Sequence, residues 1–338
     1  MRYKLLGKSG LKVSELCLGA MSFGKEWGWG CDRDESKRIF DAFANAGGNF
    51  IDTANRYTEG TSEKFVGEFI AADREHFVIA TKYTLYDREG DVSFSGNSRK
   101  NMFRSVEGSL QRLNTDYIDL LWLHAWDYTT PVDEVLRGLD DLIRMGLVHY
   151  IGISDTPAWI VSQANTLAEL KGWSQFIGLQ IEYSLIERTP ERELIPMAKA
   201  FDMTVTPWGP LGGGVLTGKY LRNESGRIDA DHPRRDEHNT RIAKKVAEVA
   251  ELLDVTPGQV AINWLRQQEA RIIPIIGASK ESQIIDSLGC LSFQLPGKEM
   301  QILNDVSRIN LGFPHEFLTS ALVDRVAYGG MRDQIDFE

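Results

Sequence analysis

The sequence predicts an α/β fold: a (β/α)8 TIM barrel with an N-terminal β-hairpin and a C-terminal tail. Three observations carry that prediction. First, a beat of apolar strand followed by amphipathic helix recurs about eight times along the 338 residues. Second, most of the strand segments, such as Phe77-Val78-Ile79-Ala80-Thr81, are continuously apolar. That pattern suits parallel strands buried on both faces. Third, polar or ionisable residues end one such run after another, whereas packing alone would scatter them among both ends. An open doubly wound sheet is the alternative. No Pro/Gly/Ser linker or shift in composition marks a second unit, so residues 1–338 read as a single barrel domain.

The elements follow in order. Residues 2–16 read as a hairpin, with Tyr3 to Leu6 and Lys12 to Leu16 flanking the turn cluster Gly7-Lys8-Ser9-Gly10-Leu11. The barrel beat starts at Leu16-Cys17-Leu18 and ends at Gly19. Asp32 or Asp34 can cap a helix to about Ala46, which Gly47-Gly48 stops. Strand 50–52 leads to a helix from about Ser62, its cap, to Ile70. Strand 77–81 leads through a long loop, 83–97, to a helix from about Ser98 to Leu113. Met102, Val106, Leu110 and Leu113 form the apolar stripe of that helix. Strand 118–123 precedes a helix at about 131–145, with Pro131 in its first turn. Strand 150–153 ends at Ser154, and a helix opens near Pro157. Strand 176–181 precedes a helix at 191–201. Strand 203–207 runs into a Gly-rich loop and a polar insertion, 212–237, before helical stretches 239–253 and 257–267. Strand 271–276 precedes a short helix, 281–288, and a last helix, 297–308, leads to the tail.

Composition is that of an ordinary soluble globular protein, with 42% hydrophobic and 25% charged residues. A net charge of −10 argues against a general nucleic-acid surface, so an anionic cofactor needs a local cluster of donors. Cys17, Cys31 and Cys290 are odd in number and widely spaced, which argues against a disulfide framework or a zinc site. The first residues lack a signal-peptide apolar core, and no apolar run approaches the ~20 residues that span a bilayer. The expectation is a cytoplasmic protein with no membrane or metal partner, of unspecified oligomeric state.

The strand-end rule collects Gly19 with Met21, Asp52, Lys82, His124, Ser154 with Asp155, Gln180, Trp208 and Gly277. Tyr57 follows Asp52 by five residues. A Tyr hydroxyl ordinarily ionises near ~10. A neighbouring ammonium lowers that value and readies the phenol to protonate a carbonyl oxygen. Lys82 can supply the ammonium if Asp52 holds its charge. His124 can hydrogen-bond the carbonyl and fix its orientation. Together these groups would bind an oxyanion while a hydride reaches the carbon.

The order Asp52, Tyr57, Lys82, His124 resembles the tetrad of the aldo-keto reductase superfamily. Asp52-Thr53-Ala54, Ala80-Thr81-Lys82, Ile151-Gly152-Ile153-Ser154 and Pro207-Trp208-Gly209-Pro210-Leu211-Gly212-Gly213-Gly214 match its blocks in order, to about residue 290. His124-Ala125-Trp126-Asp127-Tyr128 and Ser154-Asp155-Thr156-Pro157-Ala158-Trp159 resemble its aryl-alcohol dehydrogenase branch. The resemblance implies a (β/α)8 barrel that binds NADP(H), with NAD(H) as the alternative, and acts on a small carbonyl or alcohol. Catalysis would fall to Asp52, Tyr57, Lys82 and His124. Gly19, Met21 and Asp52 would border the cofactor. Ser154, Asp155 and Gln180 would hold the nicotinamide carboxamide, and Trp208 would stack on its ring. Gly209, Pro210, Leu211, Gly213, Thr217 and Lys219 would follow the pyrophosphate. Gly277, Ser279, Lys280, Gln283 and Ser287 would meet the adenosine phosphate. The chain departs from the family where Asp155 replaces a frequent Asn, Gln283 a frequent Arg and Ser287 a frequent Asn. Lys280 is the only cation in 277–287.

Trp27, Trp29, Trp126 and Tyr128 follow the first and fourth barrel strands and could line an aromatic substrate pocket or pack loops together. Gly213 to Tyr220 nearly spells a P-loop, but Tyr220 stands where a Mg²⁺-binding Ser or Thr is needed. No Gly-x-Gly-x-x-Gly opens the first helix, which disfavours a Rossmann enzyme. Two other readings remain: a sugar or polyol ketone reductase on the same site, and a nicotinamide-binding regulatory subunit that senses redox state with slow turnover.

Overall fold

A computed structural model of the protein describes residues 1–336. Strands β1 (Tyr3–Leu5) and β2 (Lys12–Ser14) form the antiparallel hairpin. The barrel strands are β3 (Cys17–Gly19), β4 (Phe50–Asp52), β5 (Val78–Tyr83), β6 (Ile118–Leu123), β7 (Val148–Ser154), β8 (Gly178–Glu182), β9 (Thr204–Trp208) and β10 (Ile275–Gly277). They form one eight-stranded sheet in the order β10-β3-β4-β5-β6-β7-β8-β9, every pair parallel. Val205 on β9 closes the ring. Its N–H donates to Arg271 O at 2.8 Å, and its carbonyl accepts from Ile273 N at 2.9 Å.

Helices α1 (Arg33–Asn45), α2 (Thr61–Ile70), α3 (Arg99–Leu113), α4 (Val132–Arg144), α5 (Ala158–Lys171), α6 (Leu194–Ala200), α7 (Glu237–Leu253), α8 (Pro257–Arg266), α9 (Glu281–Leu288) and α10 (Gly297–Val306) carry the chain around the barrel. None of the described helices is long and apolar enough to cross a membrane.

The core has two layers because side chains alternate along a strand. Phe50, Val78, Ala80, Leu120 and Trp122 point inward and pack with Leu6 and Val13 of the hairpin. Ile51, Ile79, Leu121 and Leu123 point outward against the helices. Trp122 fills the inside at the expense of its neighbours. A Cβ on Gly152 of β7 would lie 2.2 Å from its ring, so the strand beside it carries glycine there. The hairpin plugs the floor. Gly7, at φ +55°, donates to Thr204 Oγ1 at 2.7 Å, and a Cβ there would sit 2.0 Å from Ile177 O.

Three expectations need correction. The helix expected from Ser62 starts at Thr61 behind a short 3₁₀ turn, Tyr57–Gly60. Ser62 does not cap it: its hydroxyl donates to Ala20 O at 2.7 Å and so ties two loops together. Pro131 stands just before α4, in extended backbone, not in its first turn. The strand expected over 271–276 divides at Pro274, which has no N–H for a ladder. Residues 271–273 bond to β9, whereas Ile275–Gly277 pair with β3. The expected C-terminal tail carries two short helices, α11 (His315–Leu318) and α12 (Ala321–Ala327).

Candidate active site

The same two-residue alternation that builds the core builds the site. Phe50 points into the barrel, so Asp52 does. Val78 and Ala80 point in, so Lys82 does. Leu120 and Trp122 point in, so His124 follows. The register then levels them: Asp52 pairs with Ala80 and Lys82 with Trp122, while Ser154 pairs with Gln180. All lie at the C-terminal rim.

Lys82 is fully buried and ion-paired to Asp52 Oδ2. It also donates to Thr53 O at 2.8 Å. Gln180 Nε2 takes the other Asp52 oxygen at 2.9 Å. Burial opposes the Lys82 charge, but Asp52 and Tyr57 together more than offset it, so the ammonium pKa stands above its ordinary value. Its Nζ lies 4.6 Å from the centre of the Tyr57 ring. Burial pushes the Tyr57 hydroxyl up, and Lys82 draws it only part of the way back. The expected net lowering is therefore reversed: desolvation outweighs the ammonium. The phenol keeps its proton at neutral pH.

The His124 ring meets the Tyr57 ring edge-on at 5.8 Å. Burial, and then Lys82, hold His124 well below the ordinary imidazole range, so it is neutral. Its buried Nδ1 has no hydrogen-bond partner, and neither has the buried Ser154 Oγ. Two orphaned polar atoms on neighbouring strand ends cost free energy unless a bound molecule satisfies them.

The loop behind Tyr57 is rigidly held. Thr58 and Glu59 adopt left-handed backbone, φ 46° and 55°, which is strained for a β-branched Thr. Thr58 is fully buried, donates to Phe23 O at 2.6 Å and accepts from Ser62 N at 3.1 Å. Nothing in the short motif around Asp52 signalled this brace.

Around the rim, Asp155 Oδ1 accepts from Trp208 Nε1 at 3.1 Å and so orients the indole. Gly19 ends β3 and is buried, with Met21 half-buried beyond it. The loop from Gly209 through Pro210 and Leu211 winds into a 3₁₀ turn, Gly212–Thr217, in which Gly213 and Gly214 have φ of 68° and 95°. Thr217 Oγ1 donates to Gly214 O at 2.8 Å, and Lys219 lies against Gly214. Ser279 donates to the Gln283 side-chain oxygen at 2.9 Å, so Gln283 faces its own turn. Gly277 ends β10, and Ser287 is buried on α9.

Of the four aromatic candidates, Trp27 and Trp29 come together, 5.7 Å apart, with Trp27 6.2 Å edge-on from Tyr57. Trp27 Nε1 is anchored on Glu59 at 3.1 Å. Trp126 packs on the outer core layer, and Tyr128 is 72% exposed. The structure brings neither of those two rings against Tyr57. It adds Arg227, unflagged by the strand-end rule because it lies in the 212–237 insertion. Its guanidinium sits 4.3 Å over the Trp29 ring.

A parallel barrel with an inward Asp–Lys pair beneath a Tyr and a neutral His can pass a proton to an oxygen at a buried site. Residues 15–308 match the Aldo/keto reductase family. The chain is 39% identical over 329 residues to an aryl-alcohol dehydrogenase [NADP(+)] of Phanerodontia chrysosporium, covering 90% of this chain and 86% of that protein. It is 37% identical over 324 residues to a norsolorinic acid reductase of Aspergillus flavus, covering 93% and 83%. An aryl-alcohol dehydrogenase of Pestalotiopsis microspora is 36% identical over 340 residues, covering 98% and 86%. The chain belongs to the Aldo/keto reductase family and is an oxidoreductase of carbonyl or alcohol substrates.

Proposed function

We propose that residues 1–338 form one barrel domain that reduces an aromatic aldehyde or ketone, or oxidises the corresponding alcohol, with NADP(H). The observation that carries this reading is the Tyr57 ring over a fully buried Lys82–Asp52 pair, with neutral His124 beside it. Bound NADP(H) supplies the hydride chemistry. Tyr57 donates the proton to the carbonyl oxygen in reduction and takes it back in oxidation. Lys82 limits the cost of the phenolate that remains, and Asp52 and Thr53 O hold Lys82 in place. His124 offers a ring N–H to the same oxygen.

The residues present fit the cofactor. The orphaned Ser154 Oγ suits a carboxamide, and Trp208, fixed by Asp155, offers a flat face for the nicotinamide. The 209–219 backbone, with Lys219, suits the pyrophosphate. The adenosine phosphate would reach a cavity of about 500 Å³ lined by Ser279, Lys280, Glu281 and Ser282. Arg227, over Trp29, adds a positive charge at the mouth. The Phanerodontia relative is an aryl-alcohol dehydrogenase [NADP(+)], which supports the same cofactor here.

The Trp27–Trp29 pair beside Tyr57 supports an aromatic substrate, since an aryl ring removes more apolar surface from water at ~25 cal/mol per Å². Following reduced-nicotinamide absorbance with benzaldehyde, butanal and a keto-sugar tests the reading. Benzaldehyde is expected to have the highest kcat/KM. A keto-sugar in first place would refute the aromatic pocket while leaving hydride transfer intact. Absence of steady turnover with every carbonyl would favour a redox-sensing subunit.

A further inference from the structure

The cavity at the start of α9 is already met by an anion of the protein's own. Glu281, the first residue of α9, donates its backbone N–H to Glu35 Oε1 at 2.6 Å. Glu35 lies on α1, and its other oxygen accepts from Arg38 Nε at 3.0 Å. The first N–H groups of a helix have no partner inside it and carry partial positive charge, which favours an anionic oxygen. A carboxylate now occupies that position.

The charges around the cavity balance. Lys25, Arg38 and Lys280 face Asp32, Glu35 and Glu281. Lys25 is paired to Asp32 at 2.9 Å, and Arg38 to Glu35. A phosphate dianion brought to α9 therefore meets a carboxylate on the donor it needs. If Glu35 swings away, it frees both the Glu281 N–H and the Arg38 guanidinium. A ribose hydroxyl in the same place brings no charge, and a carboxylate can accept its hydrogen bond.

We propose that Glu35 sets the cofactor preference: its carboxylate holds the seat of the adenosine 2′-phosphate, must be displaced by NADP(H), and is left in place by NAD(H). The proposal rests on the placement of the adenosine phosphate given under Proposed function. Glu35 thus narrows the advantage that Lys280 gives the phosphorylated cofactor.

Dissociation constants for NADP⁺ and NAD⁺, read from quenching of tryptophan fluorescence, test this without turnover. Glu35→Gln keeps the size of the side chain and removes its charge; Glu35→Ala vacates the seat. Both should tighten NADP⁺ by on the order of tenfold, as expected for removing one charge near a partly exposed dianion, and should leave NAD⁺ unchanged or weaken it, since its ribose hydroxyl loses a carboxylate acceptor. The gain should shrink at high salt. Lys280→Ala serves as the reference and should weaken NADP⁺ selectively by about tenfold. An unchanged NADP⁺/NAD⁺ ratio in both Glu35 variants, with Lys280→Ala still selective, overturns the Glu35 proposal and leaves the cofactor placement standing. Equal losses of both cofactors in Lys280→Ala overturn the placement, and the proposal with it. Melting curves of the two Glu35 variants, expected to match the parent, show that the fold is kept.

Discussion

Two buried ion pairs stand at opposite ends of the barrel, and they are held in different ways. At the floor, Glu15 takes Arg2 N on one oxygen and Arg266 on the other, both at 2.7 Å. Arg266 donates onward to Cys290 O at 2.7 Å, and Lys4 to Ile272 O at 2.9 Å. That pair ties the hairpin to the end of α8 and to the chain beyond α9. At the mouth, Asp52 and Lys82 join two strands whose backbones already pair. The mouth pair adds no new connection to the fold; it places an ammonium under a phenol. Around it, His124 Nδ1 and Ser154 Oγ lack partners, whereas the floor pair leaves Arg266 Nε without one. The same chemical components thus serve as a cross-link at one end and as a reactive centre at the other, in line with the division of labour between the two faces of such barrels.

The sharpest way to break this contrast is to remove one hydroxyl. Tyr57→Phe deletes no charge and leaves Asp52–Lys82 intact. It is expected to lower kcat by roughly 10²-fold or more, the scale of general acid catalysis, with cofactor affinity and melting temperature nearly unchanged. Near-normal turnover in a clean preparation would remove Tyr57 as the acid.

The floor should respond in the opposite sense. Arg266→Met leaves Glu15 buried without its main partner, a loss on the order of 3 kcal/mol of stability. At permissive temperature kcat should hold within about twofold. Denaturant midpoints and kcat measured on one preparation check both halves. A large fall in kcat with an unmoved midpoint would mean that the floor is coupled to the chemistry.

The contrast also bears on what the sequence could reveal. The eight strands and the inward Asp52, Lys82, His124, Ser154 and Gln180 were legible because one two-residue period controls both core and site. The sign of the Tyr57 shift was not, since desolvation depends on everything packed over the ring, and no spacing encodes that. Glu35 and Arg227 were missed because they lie on a helix and in an insertion, where the strand-end rule is silent. The Glu35–Glu281 contact spans 246 residues and arises only when barrel closure sets α1 against α9. The division of strand 271–276 turned on Pro274, a residue visible in the sequence whose consequence depends on which neighbour each half meets.

Substrate choice sharpens the picture of the mouth. Trp27→Ala removes the ring that stands edge-on to Tyr57 and should reduce the preference for benzaldehyde over butanal by up to about tenfold, or ~1.5 kcal/mol. Butanal turnover should change little. Equal losses for both substrates would assign Trp27 to loop packing through Glu59.

The smallest effect separates the two ends by pH. His124 has a folded pKa well below its ordinary 6.5, with burial first and Lys82 second as causes. The unfolded chain therefore binds a proton that the folded chain refuses. Stability must fall as pH drops below about 6.5, and must keep falling until the lower folded value is reached. Glu15 is also lowered, because its bonds to Arg266 and to Arg2 N outweigh the opposing effect of burial. Its contribution is present above its unfolded value, near 4.5, and is lost only as pH falls below that. Between pH 7.5 and 6.0 Glu15 therefore contributes no loss, and His124 at the mouth does. That loss should be about 0.8 kcal/mol for one histidine titrating in the unfolded chain alone. His124→Gln should flatten this part of the stability profile and leave the steeper acid limb below pH 4.5 in place. Urea denaturation of both proteins at pH 7.5, 6.0 and 4.0 makes the comparison. An unchanged slope between pH 7.5 and 6.0 in His124→Gln would show that His124 takes up its proton in the folded protein too, and the neutral hydrogen-bond donor would be lost from the proposed site.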